Sequence, residues 1–232
     1  MKRFFIISGG KIEDAFAKAV LNGVAEKTVI AADSGMEFLR RNEIIPQIII
    51  GDFDSVSSGT LEWFQKKDDI IWHKLNPVKD DTDTESAIHL AISMGAEFIT
   101  VLGGTGSRLD HVLGNIELLG IGLETGVKIE LLDANNRIRM TDCGMILKKE
   151  EQFGKYVSFF TVGGDVTGLT LRGFKYPLNG YHLTVEDSGL TVSNEISEET
   201  DEITEKQAEI TFEKGILIVI ESRDDAAMTY EI

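Results

Sequence analysis

Two short stretches concentrate carboxylates beside small residues. The first is Gly51-Asp52-Phe53-Asp54-Ser55, directly after the apolar run 47–50. If that chain stays extended, Asp52 and Asp54 point to one side. Two close carboxylates repel unless a proton or cation lies between them, and magnesium accepts a few carboxylates together with phosphate oxygens and water. The same residues also suit a helix N-cap at Asp54 or Ser55 with an Asx-turn at Asp52. The second stretch is Lys79-Asp80-Asp81-Thr82-Asp83-Thr84-Glu85, which opens a helical pattern. Thr82 and Glu85 fit a capping box, and acids favour a helix start. Capping gives no reason for the density of Lys79, Asp80 and Asp81. A second carboxylate pair, Asp80 and Asp83, would complete a magnesium site with Asp52 and Asp54, and Lys79 could meet a phosphate.

A third motif, Gly103-Gly104-Thr105-Gly106-Ser107-Arg108-Leu109-Asp110-His111, runs on to Asn115. Its glycines let backbone N–H groups approach a phosphate, and a helix start favours anions. Arg108 adds a planar fork suited to phosphate. The spacing is neither that of a P-loop nor that of a dinucleotide fingerprint. His111 could act as a base, or simply cap or pack at the helix start. A fourth loop, Ala31-Ala32-Asp33-Ser34-Gly35, offers Asp33 and Ser34 either to a ligand or as caps of the helix 36–41.

These loops need a scaffold. Runs at 4–8, 28–32, 47–50, 70–72, 98–102 and 128–132 read as buried strands, rich in Ile and Val with little alternation. Helical faces lie between them, one made by Ala87, Ile88, Ala91 and Ile92, another by Leu109, Val112, Leu113, Ile116 and Leu119. That alternation predicts an α/β domain over 1–141, a doubly wound, mostly parallel sheet with helices on both faces. In such sheets ligands bind at strand C-termini. After Gly144 the rhythm changes. Strands are expected at 156–162, 166–171, 182–185, 190–192, 208–212 and 216–220, with turns at Gly163-Gly164-Asp165, Asn179-Gly180, Asp187-Ser188-Gly189 and Lys214-Gly215. A C-terminal antiparallel β-sandwich over 142–232 follows.

Composition narrows the function. The 232 residues carry a formal net charge of −16, which repels nucleic acid and anionic membranes. ATP is repelled too, so a nucleotide site needs local cations or metal. Six acids, Glu195, Glu198, Glu199, Asp201, Glu202 and Glu205, form a solvated stretch. A single cysteine, Cys143, excludes an intrachain disulfide and a Cys-rich zinc site, and fits a reducing cytoplasm. The N-terminal apolar run is too short for a signal peptide core. Four acid- or glycine-bearing loops after apolar strands point to phosphoryl or nucleotidyl chemistry on a small molecule.

The ordered set of Ala32-Asp33-Ser34-Gly35, Gly51 to Ser55, Lys79 to Asp83 and Gly103 to His111 resembles the bacterial thiamine pyrophosphokinases. In the second half, Gly173-Phe174-Lys175-Tyr176-Pro177-Leu178 and Val192-Ser193-Asn194-Glu195 are similar to that family as well. The resemblance implies a homodimer with active sites between subunits. ATP and magnesium would sit on the N-terminal domain, and thiamine partly on the partner's sandwich. It places Asp52, Asp54, Asp80 and Asp83 on magnesium or its waters, and Thr82 and Arg108 by the phosphates. Asp33, Ser34, Gly104, Thr105, Asp110 and His111 fall around the nucleotide. Tyr176, Ser193 and Asn194 fall near thiamine. The implied reaction is attack of the thiamine hydroxyl on the β-phosphorus of ATP with AMP leaving, the proton passing to Asp80 or Asp83. The alternatives are a hydroxymethylpterin pyrophosphokinase on the same scaffold and a non-catalytic nucleotide-binding module.

Overall fold

The structure, a computed structural model, describes residues 1–76, 81–187, 189, 191–198 and 207–225. Lys79, Asp80, Ser188, Leu190, Glu199, Asp201, Glu202 and Glu205 lie outside the described residues. The chain divides into two compact units, Met1–Ala134 and Asn135–Ile232.

The first unit alternates strand and helix: β1 Arg3–Ile7, α1 Asp14–Asn22, β2 Thr28–Ala32, α2 Gly35–Arg41, β3 Ile48–Gly51, α3 Ser58–Gln65, β4 Ile71–Lys74, α4 Asp83–Ser93, β5 Phe98–Leu102, α5 Leu109–Glu117, α6 Gly120–Thr125 and β6 Lys128–Leu132. The six strands are parallel, in the order β4-β3-β2-β1-β5-β6. Phe4, Phe5, Ile6 and Ile7 are buried, as are Ile48, Ile49 and Ile50. These are the continuous apolar runs that strands covered on both faces require. The order reverses between β1 and β5. With right-handed crossovers, that reversal sends helices to opposite faces and opens a crevice above the two strand ends.

One expected helical face is corrected. The helix predicted through Leu119 ends at Glu117, and α5 buries none of its residues. Leu109 and Leu113 are exposed, because α5 turns Val112 and Asn115 toward the crevice instead.

The second unit is antiparallel throughout. Its strands are β7 Asn136–Thr141, β8 Met145–Lys148, β9 Tyr156–Thr161, β10 Val166–Arg172, β11 Leu178–Leu183, β12 Gln207–Thr211 and β13 Leu217–Ser222. They form the runs β7-β13-β9 and β11-β10-β12-β8. Leu147, Phe159, Leu169, Leu183, Ile210 and Val219 are drawn from both runs into one buried core, which is how a sandwich hides alternate residues. Asn179-Gly180, expected as a turn, lies inside β11, where the β10–β11 register shifts and Gly180 takes φ 63°. The local signal was correct about backbone conformation, but it marks an irregular strand rather than a chain reversal. No strand forms at Thr191–Val192.

Candidate active site

The crevice holds a cleft of about 820 Å³ lined entirely from the first unit. Its floor is the loop after β1, Ser8-Gly9-Gly10-Lys11, laid against the loop after β5. The Gly10 amide donates to the Gly103 carbonyl at 2.9 Å, and the Lys11 amide to Thr105 at 2.8 Å. Side chains would prevent this approach. A Cβ on Gly10 would stand 2.2 Å from the Thr105 carbonyl oxygen. One on Gly103, at φ 74°, would stand 2.3 Å from that of Ser8. Glycine is therefore required at both positions.

The glycine loop is fixed by two side-chain hydrogen bonds. The Thr105 hydroxyl donates to Asp133 Oδ2 at 2.7 Å, and Asn115 Nδ2 to the Gly104 carbonyl at 2.8 Å. Gly104, Thr105, Arg108 and His111 all line the cleft. Arg108 forms an exposed ion pair with Asp110 at 2.6 Å. The Arg108 hydrogen bond holds the Asp110 carboxyl down to about 2. Asp110 itself lies outside the lining, so it orients Arg108 from behind.

Asp33 also lines the cleft, and two further acids outside the lining, Asp52 and Asp54, gather against it. Asp33, Asp52 and Asp54 each offer a carboxylate oxygen within 4.8 Å of the others. Of the two readings of residues 52–54, the Asx-turn at Asp52 is the one that forms: Phe53 takes φ 68°, and the Asp54 amide donates to Asp52 Oδ1 at 3.1 Å. An Asx-turn, not strand alternation, brings the two carboxylates together. The Asp54 carboxyl is held above the ordinary carboxylate range, first by the charge of Asp52, with Asp33 and Asp83 adding to it. Asp33 also occupies left-handed backbone, at φ 45°. Its Oδ2 accepts from the Ser55 hydroxyl, and its Oδ1 is buried without a partner. An orphaned carboxylate oxygen in an acidic group is chemistry suited to a hard cation.

Ser34, Thr82 and Asp83 line the cleft as well. The Thr82 capping box is formed, with the Glu85 amide donating to Thr82 Oγ1 at 3.2 Å. Ser34 precedes α2 and makes no side-chain cap bond. Sequence reasoning missed Asp33 as a member of the carboxylate group, and it missed the floor residues Ser8, Lys11 and Thr84. The Ser8 and Thr84 hydroxyls meet at 2.8 Å. The available signal was the glycine pair ending β1, the same punctuation that marks the other loops.

The residues expected near thiamine lie in the second unit. Tyr176 is exposed, and Ser193 takes φ 58° with its amide donating to Ser158 Oγ at 3.0 Å. Asn194 is buried, and its side chain is committed. Nδ2 donates to the Tyr176 carbonyl at 2.8 Å, while Oδ1 accepts from the amides of Tyr176 and Glu195. Asn194 therefore fixes the backbone of Tyr176, while Ser158 fixes that of Ser193.

Comparison with known proteins agrees with both units. Residues 23–131 match the family model "Thiamin pyrophosphokinase, catalytic domain", and residues 145–217 match "Thiamin pyrophosphokinase, vitamin B1 binding domain". A curated thiamine pyrophosphokinase of Bacillus subtilis is 37% identical over 202 residues, 87% of this chain and 86% of its own. The crystal structure of a thiamine pyrophosphokinase from Bacillus subtilis superposes with a TM-score of 0.83 at 35% identity, covering 97% of this chain and 100% of the other. That of Geobacillus thermodenitrificans thiamin pyrophosphokinase gives 0.80 at 28%, with the same coverage.

Proposed function

The chain belongs to the thiamin pyrophosphokinase family, and from that premise we propose that it transfers the pyrophosphoryl group of ATP to the hydroxyl of thiamine, giving thiamine pyrophosphate and AMP. The observation that carries this reading is one cleft lined by Asp33, Asp83 and a glycine loop bearing Arg108, with Asp52 and Asp54 gathered against Asp33. The thiamine oxygen forms a bond to the β-phosphorus, and the bond to the α-phosphate bridging oxygen breaks. Transfer of this kind depends on positioning and charge neutralisation.

The donor set fits magnesium. Asp33, Asp52 and Asp54 would hold it with Asp83 close by, and Asp80 keeps the place that the resemblance gives it. When bound, the ion neutralises polyphosphate charge. The chain's own contributions are distinct. The glycine loop offers backbone to the phosphates, Arg108 carries a fixed positive charge, and Thr82 and Ser34 offer hydroxyls. His111 lines the same cleft. Tyr176, whose backbone Asn194 holds, and Ser193 would meet thiamine on the second unit, which divides the labour between an ATP-binding and a thiamine-binding part. The finer reading is a homodimer in the cytoplasm, each site drawing on both chains. No helix among the described residues is long and apolar enough to cross a membrane.

A hydroxymethylpterin substrate is disfavoured by the vitamin B1 binding match over 145–217. The test is incubation with ATP, magnesium and thiamine, following AMP and thiamine pyrophosphate together. Equal formation of both, abolished by a chelator, is expected. ADP as the nucleotide product, or no turnover, would overturn the assignment.

A further inference from the structure

We propose that Lys11 is a nucleotide-binding residue whose ammonium holds the polyphosphate of ATP, as a second fixed cation beside Arg108. The inference rests on reading the cleft as an ATP site. The chain has 39 acidic side chains against 23 Lys and Arg, and the cleft lining includes Asp33, Asp81 and Asp83. A polyanion entering there meets net repulsion. Among the described lining residues, only Lys11 and Arg108 carry a permanent positive charge.

The two cations are held differently. Arg108 is already paired with Asp110. The Lys11 ammonium forms no ion pair or hydrogen bond with any described residue. Its flexible four-carbon stem leaves the ammonium free to follow a bound polyanion. Its backbone, by contrast, is fixed. The Lys11 amide is bonded to Thr105, and Gly9 is so close to the Asp33–Ser34 loop that a Cβ there would lie 2.0 Å from Ser34 Oγ. The turn Gly9-Gly10-Lys11 therefore spans from the Asp33–Ser34 loop to the glycine loop. It fixes the backbone of Lys11 in the cleft lining beside the glycine loop. Charge-assisted contacts from lysine to phosphate are among the stronger hydrogen bonds proteins make.

The experiment is equilibrium binding of α,β-methylene-ATP, whose scissile bridge cannot break, with magnesium, by titration calorimetry. Lys11→Met should weaken binding about tenfold, and Lys11→Arg should recover most of the loss. The salt dependence of binding should be shallower in Lys11→Met than in the wild type. In turnover, KM for ATP should rise by a similar factor, while kcat and KM for thiamine stay within about twofold. An unchanged thermal midpoint would exclude misfolding as the cause. Equal affinity of wild type and Lys11→Met would overturn the role of Lys11 and leave the ATP reading intact. Failure of the wild type to bind the analogue would overturn the ATP reading, and Lys11 with it.

Discussion

The Ser55 hydroxyl donates to Oδ2 of Asp33, tying the loop after β3 to the loop after β2. The bond turns Asp33 into the neighbour of Asp52 and Asp54 while its Oδ1 stays buried and orphaned. A cation should relieve both the repulsion and the unsatisfied atom. Magnesium alone, without nucleotide, should therefore raise the thermal midpoint. At a hundred times its dissociation constant it stabilises the folded chain by about 2.7 kcal/mol. Asp52→Asn and Asp33→Asn should lose most of that response while remaining folded. A midpoint indifferent to magnesium in the wild type would count against the carboxylate group as a metal site.

Asp110 offers a cleaner electrostatic test, because one partner dominates it. The Arg108 hydrogen bond lowers its carboxyl from 3.8 to about 2. Its folded value lies below its unfolded one. The pair therefore stabilises the chain above pH 3.8, and that contribution is lost as pH falls toward 2. Carboxyl NMR should find the Asp110 midpoint near 2 in the wild type and close to 3.8 in Arg108→Gln. A wild-type midpoint near 3.8 would mean that the pair does not persist in solution.

Much of the first unit was legible. The apolar runs of β1, β2, β3 and β5 carry little alternation, the composition that strands buried on both faces need. Strand β7 was not legible. Asn136-Arg137-Ile138-Arg139 reads as polar, because Arg137 and Arg139 find their partner, Glu221, only in the folded sheet. The carboxylate pair at 52 and 54 was visible in sequence, but Asp33 joins it only because β2 and β3 lie side by side. Sequence spacing does not encode that adjacency. Nor could spacing show that Asn194 spends its amide on Tyr176, 18 positions away.

The buried Glu221 should be among the most sensitive positions of the second unit. Its carboxylate is fully buried and accepts from Arg137 at 2.7 Å, from Arg139 and from the Phe153 amide at 3.0 Å. Removing one member of a buried ionic group leaves the others uncompensated, at a cost of about 3–5 kcal/mol. Glu221→Ala should lower the urea midpoint accordingly. A loss below about 1 kcal/mol would show that the group behaves like a surface pair.

Asn194→Ala should separate support from contact. Three backbone groups, two of Tyr176 and one of Glu195, lose their partner. Each unsatisfied group costs about 1–3 kcal/mol when buried. We expect reduced stability together with a raised KM for thiamine and an unchanged KM for ATP. Ser193→Ala, by contrast, should alter thiamine KM with little change in stability. Full stability in Asn194→Ala would remove the supporting role.

Asp33, Phe53 and Ser193 share left-handed backbone with only one other non-glycine residue among those described, Glu43. Such conformations cost about 1–3 kcal/mol each and persist where surrounding structure imposes them. A lineage selected for heat resistance alone would drift toward glycine at 33, where the strain disappears along with the carboxylate. Robustness and usefulness therefore pull apart at position 33: the substitution that would most relax the backbone there is also the one that would empty the carboxylate group.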